Sequence, residues 1–161
     1  MAALRSYSRS LAGEGRWAGA ALGAALLAAG CATTWPAVRR TAPVATGTFE
    51  MSAVALGECT ERVFLGQTDP RSPLADLWFV SVDEPEALVV RGGYPNAEGD
   101  ELEFPALEAR FVQTAPLVAT VEVRLASGSA AAMGAAAWKA VRCCAANASA
   151  IPCGGRRRPA P

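Results

Sequence analysis

Leu117-Val118-Ala119-Thr120-Val121-Glu122-Val123-Arg124-Leu125 contains the longest uninterrupted alternation of apolar and polar residues in the chain. In an extended chain Leu117, Ala119, Val121, Val123 and Leu125 share one side, and Thr120, Glu122 and Arg124 share the other. That period of two marks a strand with one face buried and one face wet. A domain built on such strands is an antiparallel one, since parallel strands are covered on both faces and read as continuous apolar runs.

Towards the N-terminus the same period recurs in shorter pieces. Phe49, Met51, Ala53 and Ala55 alternate with Glu50 and Ser52, and Arg62-Val63-Phe64-Leu65 is a second candidate. Leu77-Trp78-Phe79-Val80 and Ala87-Leu88-Val89-Val90 are apolar on both sides and predict central strands. Leu102 and Phe104 alternate with Glu101 and Glu103, as Ala109 and Phe111 do with Glu108 and Arg110. Residues 66–73, with Pro70 and Pro73, and residues 92–96, Gly-Gly-Tyr-Pro-Asn, predict turns. About seven short strands result, which predicts a mainly β domain, an antiparallel sandwich or strongly curved sheet.

Towards the C-terminus the pattern becomes helical. Residues 129–148 are rich in alanine and lack proline. At 100° per residue Met133, Ala136, Ala137, Ala140, Val141 and Cys144 fall on one face, opposite Lys139 and Arg142. A single C-terminal α-helix docked on the sheet is expected.

This wheel gives the cysteines roles. Setting Cys31 aside, Cys59, Cys143, Cys144 and Cys153 remain, and an oxidising compartment would make two disulfides of them. Neighbours in a helix point about 100° apart, which disfavours a Cys143–Cys144 bond. Cys144 faces the sheet, where Cys59 is the only cysteine expected, and Cys143 lies near Cys153 beyond the helix end. The expected pairs are Cys59–Cys144 and Cys143–Cys153. The competing uses are zinc binding, for which paired C-x₂-C spacing is missing, and redox chemistry, for which a C-x-x-C motif is missing.

The 161 residues are 52% hydrophobic, with 15 basic and 15 acidic side chains and no histidine. Without histidine there is no Ser-His-Asp or Cys-His nucleophile pair and no imidazole metal ligand. The apolar residues are concentrated from Trp17 to Gly30, behind Arg5, Arg9 and Arg16. Basic residues followed by a short apolar core are the layout of a secretory signal, and this run is too short for the roughly 20 residues of a membrane span.

The run closes on Leu27-Ala28-Ala29-Gly30-Cys31, which resembles the lipobox of bacterial lipoprotein precursors. The resemblance implies that Gly30 is the small residue before the cut of signal peptidase II, and that Cys31 carries a diacylglycerol on its sulfur. The family most often has Leu three residues before the cysteine, where this chain has Ala28. Ala32, following the cysteine in place of aspartate, implies sorting to the outer membrane. Ordinary cleavage after Ala32 and an uncleaved anchor are the alternatives.

Residues 1–30 are thus expected to be a signal, 31–47 a lipidated cysteine with a flexible tether, 48–153 the domain, and 154–161 a basic flexible tail. Sixteen tether residues would reach roughly 20 Å. Within them Trp35 suits a membrane interface, and Arg39 and Arg40 suit lipid phosphates. After the signal the chain carries twelve basic and fourteen acidic side chains, a formal charge of −2. The charges are segregated: net −10 from Glu50 to Glu108 and net +6 from Arg110 to Arg158. The two halves are expected to face each other or solvent.

No other motif calls for a catalytic residue, cofactor or metal. Residues 96–103 hold acids and a glycine, but not at EF-hand spacing, and read as a solvated turn. Many carboxylate pairs exist, none singled out for glycoside hydrolysis. The function expected is a lipid-anchored cell-envelope protein that binds or assembles with an envelope partner, without enzymatic activity and without nucleic acid. A small hydrolase acting on cell-wall glycan through paired carboxylates is the alternative.

Overall fold

The computed structural model describes residues 34–67, 69–147 and 153. Gly30, Cys31 and the tail, with the readings placed on them, lie outside the described residues. In chain order the elements are α1 (Trp35–Arg40), β1 (Ala45–Phe49), α2 (Ala53–Leu65), β2 (Trp78–Glu84), β3 (Ala87–Pro95), β4 (Leu102–Ala115), β5 (Val118–Leu125) and α3 (Ala131–Ala146).

The alternating stretch is strand β5, with Ala119, Val121, Val123 and Leu125 buried; Leu117 falls in the turn before it and is exposed. It lies between β1 and β4 in one antiparallel sheet of order β1-β5-β4-β3-β2. Strands β2 to β5 follow one another as a meander, while α2 carries the chain from the β1 edge to the β2 edge. Among the described residues there are therefore five strands, all in one sheet, and three helices, in place of the expected seven strands and single helix.

Each difference has a local cause. Residues 53–55, read as the end of one strand, and 62–65, read as a second strand, both belong to α2, because Ala53, Leu56, Gly57, Thr60 and Phe64 recur at helical spacing and are all buried. Ser52 caps this helix, its Oγ accepting the N–H of Ala55 at 3.2 Å. The two predicted strands around Phe104 and Phe111 are one strand, β4. Pro105 is tolerated there because the register shifts beside it, with Gly92 opposite Leu107 and Gly93 opposite Pro105.

The predicted turn at Gly92-Gly93 is instead strand β3. The glycines serve close packing: a Cβ on Gly92 would lie 2.5 Å from Phe79 Cε1, and one on Gly93 would lie 2.6 Å from the Phe104 carbonyl oxygen. Trp78 was expected to be central, yet β2 is an edge strand and Trp78 is exposed.

The core lies between the sheet and helices α2 and α3. Leu56 and Phe64 from α2, and Met133, Val141 and Cys144 from α3, meet Val90, Leu107, Phe111, Val121 and Val123 of the sheet. Phe64 and Phe79 rings pack with centroids 4.7 Å apart. The face predicted for α3 is the one it buries.

Two disulfides close this layer. Cys59–Cys144 has a Cα–Cα distance of 5.9 Å and Cys143–Cys153 one of 5.6 Å, both within the usual bridging range. These are the pairs the wheel predicts, although Cys59 stands on α2 and not on the sheet. The long bridge therefore joins helix to helix.

Candidate functional site

Alternation that turns apolar side chains towards α2 and α3 must turn every second residue of the sheet the other way. On that opposite face stand Glu84 of β2, Arg91 of β3, Glu108 and Arg110 of β4, and Glu122 and Arg124 of β5. Register puts Glu108 between Arg91 and Arg124, and Arg110 opposite Glu122. Charges therefore alternate in sign across neighbouring strands, the arrangement in which cross-strand pairs attract.

Helix α1 covers part of this face. Residues 35–47 were expected to be tether, but Pro36 sits in the first turn of the helix, where a missing N–H does no harm. Val38 is fully buried against the sheet. Arg124 fixes the end of α1, its Nη1 donating to the carbonyls of Arg39 (3.0 Å) and Thr41. Its Nη2 meets Glu122 Oε2 at 2.8 Å.

At the centre two carboxylates are shared by three arginines. Glu108, only 1% exposed, accepts from Arg39 Nε at 3.2 Å and from Arg91 Nε at 3.2 Å. Glu84 accepts from Arg110 Nη1 at 2.8 Å, from Arg91 Nη2 at 3.4 Å and from Arg39 Nη2. Trp35 lies over the Arg91 guanidinium, 5.1 Å from ring centroid to Cζ, a cation–π distance. The network joins the acidic stretch, through Glu84, to Arg110 of the basic half. Arg91 belongs to the acidic stretch itself and Arg39 precedes it, so Glu84–Arg110 is the one pair of this network that joins the two halves.

Burial alone would raise the Glu84 carboxyl. The hydrogen bond and charge of Arg39, with the charges of Arg110 and Arg91, outweigh it and hold the group below the usual carboxylate range. Burial likewise works against the Arg39 cation, yet its bonds to Glu84 and Glu108 raise it. A glutamate with a lowered folded-state value stabilises the fold above the ordinary value of about 4.3, and the contribution fades as pH falls through the lowered one. The wild-type chain is expected to exceed Glu84→Gln in stability by a constant margin from neutral pH to about 5, and by a shrinking one below about 4. Urea titrations of both proteins across that pH series check this; a margin undiminished at the acid end would contradict it.

The arrangement suits structure better than acid–base work. A glycosidase acid needs a raised pKa so that it holds a proton near neutrality. Glu84 is pushed the other way. The acidic turn is held by Asn96: its Oδ1 accepts from the N–H groups of Gly99 (2.8 Å) and Asp100 (3.2 Å), and its Nδ2 donates to Asp100 at 2.7 Å. Among the described residues no three His, Cys, Asp or Glu side chains group to hold a metal ion, and no helix is long and apolar enough to cross a membrane.

Of the residues singled out in the sequence, Cys59, Cys143, Cys144 and Cys153 are brought together as disulfides. Sequence reasoning missed the arginine–glutamate network. Its signal was the alternation of Glu108 with Arg110 and of Glu122 with Arg124, which marks a polar face but does not say that α1 folds over it. No family model matches the chain, and no curated protein matches it.

Proposed function

We propose that this chain is a lipid-anchored protein of the cell envelope, exported by its N-terminal signal, acylated at Cys31 and acting by binding or assembly with an envelope partner. The observation that carries the reading is the sequence Leu27-Ala28-Ala29-Gly30-Cys31 at the end of a basic-then-apolar segment. Two disulfides support it, since such bonds persist in oxidising compartments. The charged face supports a binding role over a hydrolytic one, because its two central carboxylates are neutralised by Arg39, Arg91 and Arg110. Ala32 after the cysteine favours the outer membrane, with the domain in the periplasm.

Metabolic labelling with a palmitate analogue tests the anchor. The wild-type chain is expected to take label and to pellet with membranes, and Cys31→Ala is expected to lose both. An unlabelled wild type, or label that survives the substitution, would overturn the assignment.

A further inference from the structure

The folded domain begins much closer to Cys31 than a flexible tether would place it. Thr34 is the N-cap of α1, and only Ala32 and Thr33 separate it from Cys31. Three Cα–Cα steps span at most about 10 Å. The headgroup layer of one leaflet is itself roughly 5–7 Å thick, half the difference between whole bilayer and hydrocarbon core. Resting on the anchor reading above, this short link holds α1 at headgroup level.

What lies beside α1 is then the surface that meets lipid. Trp35 rests on Arg91 of β3. Register places Val80 of β2 directly across from Arg91, and Trp78 across from Gly93, so both project from the same face as Arg91. Trp78 is 52% exposed and Val80 43% exposed, high values for apolar side chains on one strand. Indole rings favour the membrane–water interface, where an apolar body and an N–H both find partners. The charges around this surface are mixed: the turn bearing Glu98 and Asp100 approaches Trp78 at Gly99, where a Cβ would lie 3.8 Å from the ring's Cη2. Arg39 is engaged with Glu84 and Glu108, while Arg40 is exposed at the end of α1, where a lipid phosphate can meet it.

We propose that Trp35, Trp78 and Val80 form the bilayer-facing surface of the domain, seating the open sheet face on the membrane that holds the chain's own Cys31 lipid. The reference position is Trp138 of α3, on the other side of the sheet, where its ring packs against Phe49 at 5.6 Å and over Gly47. Trp17 leaves with the signal.

The test uses the full chain, lipidated in bacteria, confirmed to carry acyl label, and reconstituted into phosphatidylcholine–phosphatidylglycerol vesicles with brominated acyl chains. Trp138→Phe, which keeps Trp35 and Trp78, is expected to lose roughly half its indole emission relative to unbrominated vesicles, as interfacial rings should. The double variant Trp35→Phe/Trp78→Phe, which keeps Trp138, is expected to lose little. The wild-type chain, needing no substitution, falls between them. Equal quenching of the two variants, or an unquenched wild type that carries acyl label, would overturn the bilayer-facing surface and leave the anchor standing. Absence of acyl label removes the anchor reading and this surface with it.

Discussion

Replacing Cys59 and Cys144 together by alanine is expected to lower the unfolding free energy by about 4–5 kcal/mol. The bridge closes a loop of sequence separation 85, and loop-closure entropy grows with the logarithm of that length. Its removal frees α2 from α3, the two helices that cover the same face of the sheet. Native domains have only about 5–15 kcal/mol to lose, so the melting temperature should fall by roughly 15–20 °C. The pair Cys143→Ala/Cys153→Ala is the internal comparison. Its separation is 10, for which the same relation gives about 2–3 kcal/mol. Thermal unfolding of both double variants, followed by circular dichroism, checks the order. Equal losses, or a larger one from the short bridge, would contradict a stabilisation set by loop length.

Glu108→Ala is expected to destabilise by about 3–4 kcal/mol, the lower part of the range for breaking a buried ion pair. Truncation leaves two arginines without one of their carboxylates. The loss is moderated because Arg39 is still 36% exposed and Arg91 retains Glu84 at 3.4 Å. Glu108→Gln keeps the volume and an acceptor oxygen while removing the charge, and is expected to cost about half as much, since a hydrogen bond to a charged partner is stronger than a neutral one. Urea denaturation of both variants, alone and with Arg39→Ala, separates the terms. In the Arg39→Ala background the penalty of Glu108→Ala should shrink, because one of the stranded cations is already gone. Strictly additive losses would show that the network does not act as a unit.

The parts of the structure that were legible in the sequence are those where one period runs uninterrupted. Nine alternating residues placed β5, and the face drawn through Met133, Val141 and Cys144 is the face α3 buries. The same wheel paired the cysteines. Short stretches were ambiguous: alternation over 49–55 overlaps the helical spacing of Ala53, Leu56 and Gly57, and packing against Leu88 and Phe111 decides for the helix. Trp78 misled because an apolar run is shared by a covered strand and an exposed edge. The run cannot tell which neighbour is absent.

The candidate site was half legible. Glu108, Arg110, Glu122 and Arg124 showed a polar face by their spacing. The step that closes it, Arg39 folding back onto Glu84 and Glu108, 45 and 69 positions away, has no local signature, because Trp-Pro reads equally well as a tether and as the first turn of a helix. That step also shortens the link from Cys31 and so changes what the domain can rest on.

The proposed lipidation makes Cys31 the N-terminus of the mature chain, and intact-mass measurement of the protein extracted from bacterial membranes decides it. The expected mass is that of a chain beginning at Cys31 with two disulfides, plus a diacylglyceryl group, with or without a third acyl chain. A chain beginning at any other residue, or one beginning at Cys31 without acyl mass, would contradict it.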